Sequence, residues 1–232
     1  MPITPSIIIP TILSDSLSDI QFHIDTLAKI EQNPMVDVPS QIQLDVIDGL
    51  YAENLTIFPH DLVQINWQGF TTEIHLLVND PEEYLGETAE MGAKQVIAQI
   101  EHLGDRVDFL TVGHQLGMRA GLALDLYTPV SELSNEELNK ADVILLMSVK
   151  AGFSGQTYNP LVLEKIKQLR DRDYHQDIEI DGGVNEINMP DLLHAGATKL
   201  AVNSSLWQDD VVANLHKLQK STKESTAHAQ NT

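Results

Sequence analysis

Eight short apolar or alternating runs punctuate this chain, and between them lie longer stretches in which apolar residues recur at helical spacing. The runs are Ile7 to Leu13, Gln41 to Ile47, Thr72 to Leu77, Gln95 to Ile100, Arg119 to Leu124, Val143 to Val149, Ile178 to Asp181 and Lys199 to Val202. Strands alternating with helices predict a parallel sheet, because a parallel pair needs a crossover long enough to hold a helix. Eight repeats within 232 residues predict the α/β class and, within it, a closed eight-stranded parallel (β/α)8 TIM barrel. An open doubly wound sheet fits less well, since residues 11–16, TILSDS, lack the glycines of a dinucleotide-binding first turn.

Local signals agree. Ser16-x-x-Asp19 opens a helix that carries Leu17, Ile20, Ile24 and Leu27 on one face. Asn159-Pro160 opens another, with Leu163, Ile166 and Leu169. Asp209-Asp210 precede Val211, Val212, Leu215 and Leu218, which places negative charge where the helix dipole favours it. No stretch rich in Pro, Gly and Ser divides the chain, so residues 1–219 read as one barrel domain. Residues 220–232, KSTKESTAHAQNT, have no apolar periodicity and read as a disordered tail.

Composition removes several function classes. The absence of cysteine excludes disulfides, Cys-ligated zinc, iron–sulfur clusters and thiol nucleophiles. With 14 Lys plus Arg against 34 Asp plus Glu, a net charge of −20, there is no basic face for nucleic acid. No 18-residue apolar run spans a membrane, and Met1 to Ile9 lacks the basic start of a signal peptide. A cytoplasmic enzyme or binding protein remains, with a homo-oligomer left open.

A barrel of this kind carries its active site at the C-terminal ends of the strands. There the second, third and seventh runs supply Asp45, His75 and Asp181. Inward-facing polar groups are costly unless paired or used. Two carboxylates and an imidazole converging on one point suit a hard-to-borderline divalent metal, with the carboxylates free to act as acid and base. Asp48, followed by Gly49, suits a structural turn role instead, and the other histidines, including His23, His114 and His216, have no assigned role. Gly152-x-x-Gly155 and Gly182-Gly183 offer backbone N–H groups that can curve into an anion nest. Asn203-Ser204-Ser205, after the eighth run, stands where many such barrels hold a phosphate. Lys150, before the first glycine loop, reads as a solvated lysine.

Taken in order, these segments resemble ribulose-phosphate 3-epimerase over about residues 7–207: Pro10-Thr11-Ile12-Leu13-Ser14, Leu44-Asp45-Val46-Ile47-Asp48-Gly49, Ile74-His75-Leu76, Met147-Ser148-Val149 with Gly152-Phe153-Ser154-Gly155-Gln156, and Glu179-Ile180-Asp181-Gly182-Gly183. The resemblance implies a (β/α)8 barrel that inverts C3 between ribulose 5-phosphate and xylulose 5-phosphate, usually with a divalent metal such as Zn, Mn, Fe or Mg. By position it implies that Asp45 and Asp181 are the acid/base pair and touch the metal, and that His75 is a metal and substrate-site histidine. It assigns Gly152, Phe153, Ser154, Gly155, Gly182, Gly183, Asn203 and Ser204 to the phosphate-binding loops, and Thr11 to the place of a substrate-binding serine.

The departures are specific. Gln43 stands where the family has a second metal histidine, and it shares a strand face with Asp45. An amide oxygen is a weaker zinc ligand than imidazole and suits harder ions, so Gln43 reads as a weak ligand or as a hydrogen-bond partner that replaces metal contact. Ile47, Leu50 and Leu77 differ from the family's usual substrate-flanking residues. They leave room for an epimerase for a six-carbon ketose phosphate such as allulose 6-phosphate, and the loss of a metal ligand at Gln43 leaves room for a phosphosugar binder without turnover. The chemistry itself is plain. Inverting a carbon beside a carbonyl takes a base on one face and an acid on the other, across a metal-stabilised enediolate.

Overall fold

The computed structural model describes residues 8–229, with side-chain burial given as far as residue 223. Eight strands, β1 (Ile8–Ile12), β2 (Gln41–Ile47), β3 (Thr71–Leu77), β4 (Gln95–Gln99), β5 (Arg119–Leu124), β6 (Val143–Met147), β7 (Asp177–Asp181) and β8 (Lys199–Val202), close into a barrel in sequence order. All eight pairings are parallel, β8 closing on β1. The eight expected runs are therefore the eight strands, with ends displaced by no more than two residues where both ends are described. Ile7 and the segment before it lie outside the described residues.

The helices are α1 (Leu17–Ile30), α2 (Leu85–Glu90), α3 (Arg106–Gln115), α4 (Asn135–Lys140), α5 (Leu161–Asp171), α6 (Met189–Ala195), α7 (Ser204–Trp207) and α8 (Val211–Ala229). Their starts follow from local chemistry. The Ser16 side chain accepts from Asp19 N at the head of α1, and Ser134 with Glu137 forms a reciprocal capping box on α4. The inner face of α1 buries Ile20, Ile24 and Leu27, each worth about 1.5–3 kcal/mol of transfer free energy. On α5 it is Val162, Ile166 and Leu169 that are fully buried, with Leu163 partly so. Between β2 and β3 the crossover holds a short 3-10 turn, Asp61–Gln64, rather than an α-helix.

The final helix departs from the expected tail. It continues through the segment from Lys220 to Ala229, and both Ser221 and Thr222 are buried. Ser221 Oγ donates to the Glu186 carbonyl and Thr222 Oγ1 to that of Gln219, so polar side chains anchor a turn that has no apolar period. Residues 230–232 lie outside the described residues.

Two apolar cores result. One lies between the sheet and its helices, and the other fills part of the barrel interior with Ile47, Leu77, Ile97, Ala123, Val143, Leu145 and Met147. The rest of the interior is polar. Lys199 Nζ lies 3.4 Å from Glu73 Oε2 and 3.7 Å from Glu179 Oε2 near the N-terminal end, all three buried. Burial, and after it the neighbouring Glu73 charge, raises the Glu179 carboxyl well above its ordinary range.

Gly121 shows how tightly β5 and β6 approach. A Cβ there would lie 2.3 Å from Val143 Cγ1 and 2.7 Å from the Val143 carbonyl oxygen. Gly121→Ala should destabilise the fold by about 1–3 kcal/mol or more, read as a lowered denaturation midpoint. Trimming the neighbour with Val143→Ala should not restore it, because the backbone contact persists. Unchanged stability in Gly121→Ala would contradict this packing.

Candidate active site at the barrel mouth

The C-terminal ends of β2, β3 and β7 bring Asp45, His75 and Asp181 together. Register places Asp45 beside His75, and barrel closure brings Asp181 in from the other side. One ligand atom from each of the three lies within 4.8 Å of the others. His75 Nδ1 is 3.2 Å from Asp45 Oδ1 and 3.5 Å from Asp181 Oδ2. The imidazole is fully buried, while the carboxylates keep 11% and 12% side-chain exposure and so face the mouth.

Gln43 completes the cluster from below. Its amide Nε2 donates to Asp45 Oδ1 at 2.8 Å and to Asp181 Oδ2 at 2.9 Å, and its Oε1 is buried without a partner. Two carboxylates this close would repel, and a donor between them offsets that cost. Hydrogen bonds to charged groups contribute about 1.5–3 kcal/mol. Burial, and next the Asp181 charge, raises the Asp45 carboxyl despite the donors from His75 and Gln43.

Burial alone would discharge His75, but hydrogen bonds to Asp181 and Asp45, and then their charges, carry it up to about 9. The Gln99 amide, at the end of β4, lies 3.1 Å from the other ring nitrogen, Nε2. Gln99 was not among the candidates from sequence. Period-two alternation along Gln95, Ile97 and Gln99 is the signal that finds it, since Ile97 belongs to the barrel interior.

Above the cluster opens a cavity lined by Asp45, Ile47, Leu77, Met147, Asp181 and the loops after β6, β7 and β8. Gly152, Phe153, Ser154, Gly155, Gly182, Gly183, Asn203 and Ser204 all reach it. Lys150 is the one cationic side chain among the residues that line it. The first loop is tied in place by Gln156 Nε2, which donates to the carbonyls of Lys150 and Phe153, and by Asn54 Nδ2 on that of Gly152. Gly183 has φ of +61°, and a Cβ there would lie 2.7 Å from Tyr158 N, so no other residue fits this bend. Asn185 and Asn188 both donate to its carbonyl, turning that oxygen to the protein side.

Three residues expected at the substrate, Thr11, Leu50 and the buried His75, do not line this cavity. Thr11 is 1% exposed and does not line the cavity; its carbonyl accepts from Trp207 Nε1 and its hydroxyl faces the Ile9 carbonyl. Leu50 is 76% exposed and lines an adjoining groove with Tyr51, Glu101 and His102. Asp48 has the structural role its Asp-Gly context suggests: Oδ1 accepts from the amides of Leu50 and Tyr51, and Oδ2 from that of Asn79.

The raised His75 value has a consequence for metal-free protein. A folded pKa above the ordinary histidine value of 6.5 contributes stability that is fully present below pH 6.5 and is lost as pH rises through about 9. In chelator-treated protein the melting temperature should fall between pH 6.5 and 9.5, and His75→Gln should flatten that fall. An equal slope in the variant would remove His75 from the cluster's charge balance.

Known proteins are similar in both sequence and fold. A family profile described as the Ribulose-phosphate 3 epimerase family matches residues 7–207. A ribulose-phosphate 3-epimerase of Synechocystis sp. is 35% identical over 173 residues, which is 72% of this chain and 75% of that protein. One from Aquifex aeolicus is 33% identical over 183 residues, 76% of this chain and 82% of that protein. Among solved structures, a thiamine phosphate pyrophosphorylase from Pyrococcus furiosus superposes with a TM-score of 0.61 at 14% identity, covering 94% of this chain and 96% of that one, a likeness of fold alone. The profile match over most of the chain, with relatives above 30% identity, places it among isomerases: the chain belongs to the ribulose-phosphate 3-epimerase family.

Proposed function

We propose that this protein inverts C3 of a ketopentose phosphate, interconverting ribulose 5-phosphate and xylulose 5-phosphate, with Asp45 and Asp181 as the two proton carriers. One observation carries the reading: aspartates from β2 and β7 open into a single cavity that two glycine loops and the Asn203-Ser204 turn also line. An epimerase needs a base on one face of the reacting carbon and an acid on the other. Each aspartate serves as base in one direction of the reaction and as acid in the reverse. The raised Asp45 carboxyl is a stronger base toward a carbon-bound proton than a solvated aspartate.

The phosphate is held by backbone N–H groups of the Gly152 to Gly155 loop, of Gly182-Gly183 and of Asn203-Ser204. A chain of net charge −20 repels an anion at long range, so local amide dipoles must do the binding, with Lys150 at the rim. Holding that end fixes the distance from phosphate to C3 and so presents the reacting carbon to the carboxylates. Ile47, Leu77 and Met147 keep the sugar's reacting face away from water.

The donor set fits a divalent cation. Asp45, His75 and Asp181 offer two oxygens and a nitrogen, and the unpartnered buried Oε1 of Gln43 offers a further oxygen if the amide turns. When bound, such a cation supplies positive charge to the substrate oxygens on which negative charge develops. An oxygen-rich set favours manganese or magnesium over zinc. Gln43 and His75 donate hydrogen bonds at the same place, so the chain has its own means of neutralising the carboxylate pair.

Purified protein should epimerise ribulose 5-phosphate, with a higher kcat/KM than for allulose 6-phosphate. Asp45→Asn and Asp181→Asn should each lower kcat by at least ~10²-fold while the phosphosugar still binds. Preference for the six-carbon sugar would shift the substrate, and near-normal turnover in either variant would remove that residue from the mechanism. Binding without turnover by the unmodified chain would leave a phosphosugar-binding protein instead.

A further inference from the structure

His75 offers only Nδ1 to the carboxylate pair, since that nitrogen lies 3.2 Å from Asp45 Oδ1 and 3.5 Å from Asp181 Oδ2. To ligate a cation there, Nδ1 must present its lone pair, so the ring proton must sit on Nε2. The ring is wholly buried, and Nε2 faces the Gln99 amide at 3.1 Å. Gln99 is itself fully buried, and its Oε1 has no hydrogen-bond partner.

The two ends of an amide are nearly isosteric, so a half-turn about the last side-chain bond exchanges them in place. With Gln99 Nε2 donating to His75 Nε2, a neutral ring carries its proton on Nδ1, which then donates to Asp45 and is closed to a cation. With Gln99 Oε1 accepting from Nε2–H, a neutral ring turns its Nδ1 lone pair toward the carboxylates. A metal-binding histidine characteristically donates its other ring N–H to an acceptor that fixes tautomer and orientation.

We propose that Gln99 is the positioning residue of the site: its amide oxygen accepts the His75 Nε2–H and so aims the Nδ1 lone pair at the point where Asp45 and Asp181 meet. This rests on the reading of the cluster as a divalent cation site, and it assigns Gln99 no contact with cation or substrate. Gln43 turns by the same logic. Its donor end bridges the carboxylates as they stand, and its unpartnered oxygen faces them once a cation takes the donor's place.

Two variants and one spectroscopic measurement test this in the full-length protein. Mn2+ affinity is measured calorimetrically for the unmodified chain, Gln99→Met and Gln99→Glu. Methionine removes the acceptor at similar volume and should weaken Mn2+ binding about 10–100-fold. Glutamate restores an acceptor and should bind at least as tightly as the unmodified protein. Long-range 15N–1H correlation of the Zn2+-loaded, unmodified chain should place the His75 proton on Nε2. Equal affinity in Gln99→Met, weakened binding in Gln99→Glu, or a proton on Nδ1 in the loaded protein would overturn the role of Gln99. If Gln99→Met does not fold, the other two measurements decide. An unmodified chain that takes up neither ion would instead overturn the metal reading beneath it, and this proposal with it.

Discussion

Closing eight parallel strands on themselves forces every second side chain into a space with little water, and the whole site follows from how this chain fills that space. Part of the interior is apolar, built from Ile47, Leu77, Ile97, Ala123, Val143, Leu145 and Met147. The rest carries Gln43, Glu73, His75, Gln95, Gln99, Glu179, Asp181 and Lys199, all at 8% exposure or less. Buried charge of this kind is tolerated only in partnership. Lys199 answers the two glutamates near the N-terminal end, while His75 and Gln43 answer the two aspartates near the mouth. The two sets interleave along β2, β3 and β4, so the reacting groups sit directly beside apolar side chains.

Gln43 changes what that partnership means. A second imidazole at this position would add a nitrogen ligand, but an amide has a donor end and an acceptor end. Its donor end bridges Asp45 and Asp181, so the carboxylates are held together without a cation. The unpartnered oxygens of Gln43 and Gln99 each leave an acceptor unused beside the aspartate pair and its histidine. Both lie next to the His75–aspartate cluster, so the hydrogen bonding of that cluster is open to rearrangement.

Much of this was legible from sequence because the governing periodicities are local. Eight strand-length runs gave eight strands, and reading their C-terminal ends located Asp45, His75 and Asp181, which the structure joins in one cluster. The glycine loops were legible because Gly183 has no substitute at its bend. Other features depend on contacts between distant elements. Thr11 sits at a strand end like the others, yet Trp207, 196 residues away, draws its carbonyl into the packing beneath the mouth. Gln99 lies on a strand whose loop carries no motif, and only the β3–β4 register, which pairs His75 with Ile97, shows that its amide reaches the imidazole. The helix past Lys220 has no apolar period to announce it; Ser221 reaches the carbonyl of Glu186 instead.

The central claim is that inversion uses two proton carriers, one from each side of the barrel mouth. Converting ribulose 5-phosphate in deuterium oxide and following C3 by NMR or mass spectrometry tests it directly. Two carriers predict xylulose 5-phosphate with one solvent deuterium at C3, while ribulose 5-phosphate recovered early carries little, because the group that returns the proton is not the one that removed it. Inverted product that retains its original hydrogen at C3 would contradict the account.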